Sequence, residues 1–125
     1  MGSTIFSATR RTEVAATRRL FVQRFPRCFR ASGTAKLPLA RTIYQDLRQA
    51  LPDVRGRLLR DALHDSTTGR SYLRALIEGA SRSDLDGWPV SVVSEAEARN
   101  ARRQLRDLLI QFAPKEKNHV AHPAA

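Results

Sequence analysis

Gly79-Ala80-Ser81-Arg82-Ser83-Asp84-Leu85-Asp86-Gly87-Trp88-Pro89 interrupts a chain that otherwise reads as helices and their connectors. Asp86-Gly87 is a tight-turn pair set between two short β-prone runs. Pro89 cannot donate to a strand ladder and confines its own strand to an edge. A small β-hairpin is therefore expected within residues 81–93, with Gly79 stopping the helix before it.

Working outward, Ser94 and Glu97 make a capping box that opens a last helix over Glu95–Phe112, with Ala98, Ala101, Leu105, Leu108 and Phe112 on one side. Upstream, a first helix is expected over Thr12–Arg24, with Thr12 as cap and Val14, Leu20, Phe21 and Phe25 near one face. Pro26 pushes Phe25 out of the helical region, so Phe25, Cys28 and Phe29 form an aromatic turn. Residues 31–38 read as a loop with Gly33 as its flexible point. A second helix is expected over Leu39–Ala50, with Ile43 and Leu47 inward and Pro52 ending it. Asp53 is placed to cap a third helix, Val54–Asp65, with Leu58, Leu59, Ala62 and Leu63 inward. Ser66, Thr67 and Thr68 read as a capping cluster before a fourth helix that reaches Ile77 with Leu73, Leu76 and Ile77 on its core face. The fold class is thus mainly α, about five helices with a small hairpin before the last. Residues 1–11 read as a flexible basic N-terminus, 12–112 as one domain, and 113–125 as a disordered tail. There is no internal repeat.

The 125 residues carry 22 Lys+Arg against 12 Asp+Glu, a net charge of +10. Basic residues crowd the first two-thirds and are nearly all arginine, with lysine at Lys36, Lys115 and Lys117 alone. A planar guanidinium forks onto phosphate oxygens, so this balance points to an anionic partner such as nucleic acid. No apolar run is long enough to span a membrane, and no secretory signal is read at the N-terminus. Cys28 stands alone, which excludes a disulfide framework, fits a reducing cytosol and reads as a small buried hydrophobe. His119 and His122 lack a third ligand, so no metal site is expected. There is no glycine-rich phosphate loop and no nucleophile–base arrangement, so neither catalysis nor a cofactor is expected. Asp84 and Asp86 flank the Gly87 turn and have a local structural use.

Five ordered motifs then stand out. They are Arg24-Phe25-Pro26-Arg27-Cys28-Phe29; Pro38-Leu39 with Ile43-Tyr44-Gln45-Asp46-Leu47; Leu59-Arg60 with Ala62-Leu63 and Tyr72-Leu73; Gly79–Gly87 with Pro89; and Ala101-Arg102 with Gln104-Leu105. Together, over about residues 12–110, they resemble the ProQ/FinO domain of RNA chaperones. The resemblance implies an α-helical domain with a concave face that binds structured RNA, typically a stem-loop with a single-stranded 3′ tail such as an intrinsic terminator. It implies small regulatory RNAs and mRNA 3′ ends as partners, a cytoplasmic monomer, no small-molecule substrate and no chemistry on the RNA. Position by position, Arg60, Tyr72 and Arg82 match the family's concave-face arginine, tyrosine and hairpin arginine. Ala40, Gly56 and His64 replace residues that are basic in many members, with Arg41, Arg55 and Arg57 close by.

On a helix, Arg57, Arg60 and His64 lie along one stripe away from Leu58 and Leu59. The plainer reading is a solvated charged face with Asp61 and Asp65. Tyr72 is either a core-edge tyrosine or a partner for an exposed nucleotide. Arg82 either contacts RNA or pairs with Asp84 or Asp86. The helix start at Thr67–Arg70, with Thr68 and Arg70, is placed to hold a phosphate. Lys36 and Arg41 complete the expected RNA-binding set. The alternative is a DNA-binding regulator, because the third and fourth helices could pass for a helix-turn-helix.

Overall fold

The computed structural model describes residues 7–31 and 34–112. It holds five helices and one small antiparallel sheet: α1 (Ala8–Arg24), α2 (Ile43–Ala50), α3 (Gly56–Thr67), α4 (Arg70–Ala75), β1 (Ser81–Ser83), β2 (Pro89–Val92) and α5 (Glu95–Gln111). The fold class is the one expected. Most of residues 1–11, the Gly33 loop point and the 113–125 tail with His119 and His122 lie outside the described residues.

α1 starts earlier than Thr12. Ser7 is its N-cap and accepts from the Arg10 backbone N–H at 3.0 Å. Thr12 sits inside the helix and donates its hydroxyl to the Ala8 carbonyl. Residues 8–11, read as flexible, are therefore its first turn. The helix ends as expected before Pro26, where the Cys28 and Phe29 N–H groups both donate to the Phe25 carbonyl. That turn drives Phe29 onto Phe21, with ring centroids 4.8 Å apart. Cys28 is buried, and burial, with Asp84 nearby, pushes its thiol pKa up to about 12. It is the small apolar residue the sequence suggested.

The expected second helix loses its first turn to a strand. Ala40 N–H donates to the Ser83 carbonyl at 2.8 Å and Ser83 N–H donates to the Pro38 carbonyl at 3.0 Å, a parallel bridge centred on Leu39 and Ser83. Pro38–Ala40 therefore flanks β1 on one side while β2 flanks it on the other. Helical geometry begins only at Ile43. Asp53 does not cap α3. Val54 N–H closes a turn onto the Leu51 carbonyl with Pro52 at its second position, and α3 opens at Gly56 behind Arg55.

Ser66, Thr67 and Thr68 do not cap α4. Their hydroxyls donate back to the Ala62, Leu63 and His64 carbonyls at 3.0, 3.0 and 2.9 Å, so α3 runs on to Thr67. Gly69 is the N-cap of α4, which ends at Ala75 and leaves Ile77, expected in the core, exposed. Phe112 and Trp88 are exposed as well. Ser94 and Glu97 do form the capping box of α5.

The core gathers Phe21 and Val14 of α1, Leu47 of α2, Leu59 and Ala62 of α3, and Leu39. α1 packs on α3, α2 on α3, and α4 on α5. The hairpin turn is organised by the Asp84 carboxylate, which accepts from the Asp86 and Trp88 N–H groups. Gly87 in that turn has φ +87°, and a Cβ there would stand 2.7 Å from Arg27 Cβ in the aromatic turn. Gly79 has φ +85° but open space around it. Gly79→Ala is expected to cost about 1 kcal/mol from backbone conformation alone. Gly87→Ala should cost about 2 kcal/mol or more, because overpacking is added. Urea unfolding of the two variants measures the difference.

Candidate nucleic-acid interface

Leu39 is buried, and its two peptide groups face away from β1. Its N–H donates to the Tyr72 hydroxyl at 3.0 Å, and its carbonyl accepts from Arg82 Nη1 at 2.7 Å. Two of the three residues matched to the concave face thus meet on one residue, Leu39. Arg82 does not pair with Asp84 or Asp86. Its Nη2 lies 3.2 Å from Glu97 Oε1. Its Nε is the one buried side-chain polar atom without a partner among the described residues. Tyr72 is 8% exposed, so its ring does not offer a face for stacking. Its hydroxyl proton has no acceptor among the described residues.

Glu97 ties this pair to α5. Its carboxylate takes a forked contact from Arg41, with Nε at 2.8 Å and Nη2 at 2.6 Å, and accepts from the Ser94 N–H at 2.9 Å. These bonds, Arg41's first, hold the Glu97 carboxyl far below the usual carboxylate range. The Glu97 charge therefore stabilises the fold at pH above that range, and this contribution is lost progressively as pH falls through the range toward the lowered value. Arg41 also donates to the Val92 carbonyl at 3.1 Å, which spends much of its donor fork inside the protein.

Beside this network lies a cavity of about 310 Å³. Tyr72, Arg82 and Glu97 form one part of its lining, Thr67 and Thr68 another, and Asn100 and Gln104 face them from α5. Arg60, His64 and Thr67 share the side of α3 that leads to it, about 10 Å from the first to the last at the helical rise of 1.5 Å per residue. Arg60 is exposed, and its guanidinium carbon sits 5.0 Å from the Tyr44 ring centroid, a cation–π contact that orients it. The Tyr44 hydroxyl donates to the Gly56 carbonyl at 3.2 Å. The missing side chain at Gly56 matters here, because a Cβ would stand 3.1 Å from that hydroxyl.

The remaining expected residues divide. Arg55, Arg57 and His64 are exposed on or just before α3. Thr68 lines the cavity, but its hydroxyl is turned to the His64 carbonyl. Arg70 is exposed at the start of α4, a helix of six residues. Lys36 is elsewhere, donating to the Arg30 and Ala31 carbonyls beside a different cavity. Sequence reading missed Tyr44, Glu97, Asn100 and Gln104. The capping box placed Glu97 at a helix start, but nothing local showed its reach to Arg41, 56 residues away. Among the described residues no helix is long and apolar enough to cross a membrane, and no group of three or more His, Cys, Asp or Glu could hold a metal ion.

Five helices, one hairpin and a polar pocket beside a helix that exposes Arg57 and Arg60 define a small basic helical domain. The chain belongs to the ProQ/FINO family, whose family model matches residues 11–118. It is 40% identical over 89 residues to the RNA chaperone ProQ of Aeromonas salmonicida, covering 69% of this chain and 42% of that protein. It is 37% identical over 113 residues to the RNA chaperone ProQ of Haemophilus influenzae, covering 82% of this chain and 57% of that protein. The chain thus spans about half the length of these curated relatives, which are named as chaperones and not as enzymes. The crystal structure of a FinO-like RNA chaperone from Neisseria meningitidis superposes with a TM-score of 0.63 at 25% identity, covering 82% of this chain and 81% of that one. The solution structure of a ProQ homolog from Legionella pneumophila gives 0.67 at 22% identity, covering 86% and 91%, and shows the shared fold.

Tyr72→Phe removes the acceptor of a buried N–H and is expected to cost about 1–3 kcal/mol. Arg82→Ala leaves the buried Leu39 carbonyl without its donor and removes one of the contacts of Glu97, and should cost about 3 kcal/mol or more. Arg60→Ala removes an exposed contact and should cost about 1 kcal/mol or less. Thermal or urea unfolding of the three variants ranks them.

Proposed function

We propose that this chain is an RNA chaperone that grips a structured RNA along α3 and captures the single-stranded 3′ tail at the Tyr72–Arg82 pocket. The observation that carries this reading is the continuity of the Arg60–His64 stripe with that pocket on one side of one helix. Arg57, Arg60 and His64 provide charge for the phosphates of a stem base. In the pocket, the Tyr72 hydroxyl proton and the Asn100 and Gln104 amides are the groups left to meet a ribose or a terminal phosphate oxygen. Arg41 acts by positioning Glu97, and Arg55 and Arg70 add to the field around the groove. The family and the named function of the relatives support RNA as the partner. The RNAs this surface suits are stem-loops with a 3′ tail, such as terminator hairpins, small regulatory RNAs and mRNA 3′ ends. The protein acts on them as a cytoplasmic monomer by shape and charge, without chemistry.

A helix-turn-helix reading gains no support from the geometry. The helix that would enter a major groove is α4, six residues long with Tyr72 and Leu73 buried.

Arg60→Ala tests the reading. Because it leaves the core intact, its effect on RNA reports the surface. It should weaken a hairpin carrying a 3′ uridine tail by about tenfold and lower the slope of log affinity against log salt by about one. An unchanged affinity and slope in a gel-shift titration would remove α3 from the interface.

A further inference from the structure

A second cavity, of about 380 Å³, lies on the other side of α3. Asp61 and Asp65 face α1, held by Arg10 at 3.4 Å and Arg18 at 2.8 Å. Arg60 and His64 stand one residue earlier in the helix and so point about 100° away. The two cavities share Tyr72 alone among their lining residues. The second has apolar walls, from Val22, Phe29 and Leu37, and a volume in the usual range of about 300–1,000 Å³ for a small-ligand site. Its rim is cationic. Arg18, Arg19, Arg30 and Lys36 line it against one acid, Asp65, which Arg18 already neutralises. Lys36 is partly desolvated and lies near Arg18, and both effects lower its pKa. An anion between these cations would offset their repulsion and favour the charged form of Lys36. Gln23 and Ser66 add a carboxamide and a hydroxyl beside the apolar walls, polar groups that an acyl chain does not need.

We propose that this cavity is a second RNA site, separate from the α3 groove, which takes the base of one unpaired nucleotide between its apolar walls and the phosphate on its arginine rim. The inference rests on the RNA-binding reading above. It gives the domain a place for a single strand while the groove holds a hairpin, which is what bringing two RNAs together requires. Burial of a base against apolar walls, with cations at the mouth for the phosphate, holds an unpaired nucleotide without sequence readout.

The test uses the full chain saturated with a tailed hairpin, to which an unstructured oligouridylate containing 4-thiouridine is added and photocrosslinked. Crosslinks are expected in peptides spanning residues 15–39, and they should persist in excess hairpin. Ala15 is exposed at the cavity, so Ala15→Trp plugs it from the surface. That variant should lose these crosslinks by about fivefold or more, the cost of one stacked base, while binding the hairpin as the parent does. Crosslinks that excess hairpin abolishes and Ala15→Trp leaves intact place the oligonucleotide in the groove and overturn the inference. Absence of crosslinks with hairpin binding retained overturns the inference and leaves the proposed function standing. If the hairpin itself does not bind, both fall.

Discussion

Leu39 offers a buried N–H and a buried carbonyl that no neighbouring strand reaches, and the fold answers with two side chains from distant parts of the sequence. Tyr72, 33 residues on, accepts from the one, and Arg82, 43 residues on, donates to the other. Leaving such groups unpaired costs more than any one of the bonds contributes, so the arrangement is close to obligatory. It fixes α4 and β1 against the Pro38–Ala40 segment. Through Glu97 it also fixes α5 and Arg41. The candidate pocket is the exposed edge of this same network.

That double use explains the pocket's chemistry. Arg82 has most of its donors committed within the protein, and Tyr72 has its ring buried, so neither offers a free cationic or aromatic surface. What Tyr72 offers is a hydroxyl whose position the Leu39 N–H already fixes, while Arg82, its Nε buried, holds the wall of the pocket in place. The flexible charge sits instead on α3, where Arg57, Arg60 and His64 are exposed. In the proposed function, affinity and orientation are thus divided between two groups of residues. Loss of Tyr72 or Arg82 breaks buried bonds and so costs stability, whereas loss of Arg60 removes one exposed contact with Tyr44 and leaves the core in place.

Local signals carried much of the fold. Pro26, Asp86-Gly87 and the Ser94–Glu97 box act within a few residues, and each works as read. Failures fell where tertiary partners decide. Leu37–Ala40 is a short run that suits a helix or a strand equally, and pairing with Ser83 settles it. Ser66, Thr67 and Thr68 satisfy carbonyls behind them as readily as N–H groups ahead. The site was partly legible for a similar reason. Of its matched residues, Tyr72 and Arg82 line one cavity while Arg60 stands outside it on α3, and no spacing rule reveals that Tyr72 and Arg82 both bond Leu39 or that Lys36 belongs to another cavity.

The proposed function requires that this surface select structured RNA over duplex DNA. Competition against a labelled hairpin with a 3′ tail, at moderate salt, tests it most directly. Unlabelled tailed hairpin is expected to displace the label at concentrations at least about tenfold below those needed for duplex DNA of equal charge, since phosphate contacts alone would not separate the two. Equal or better displacement by the DNA would contradict the account.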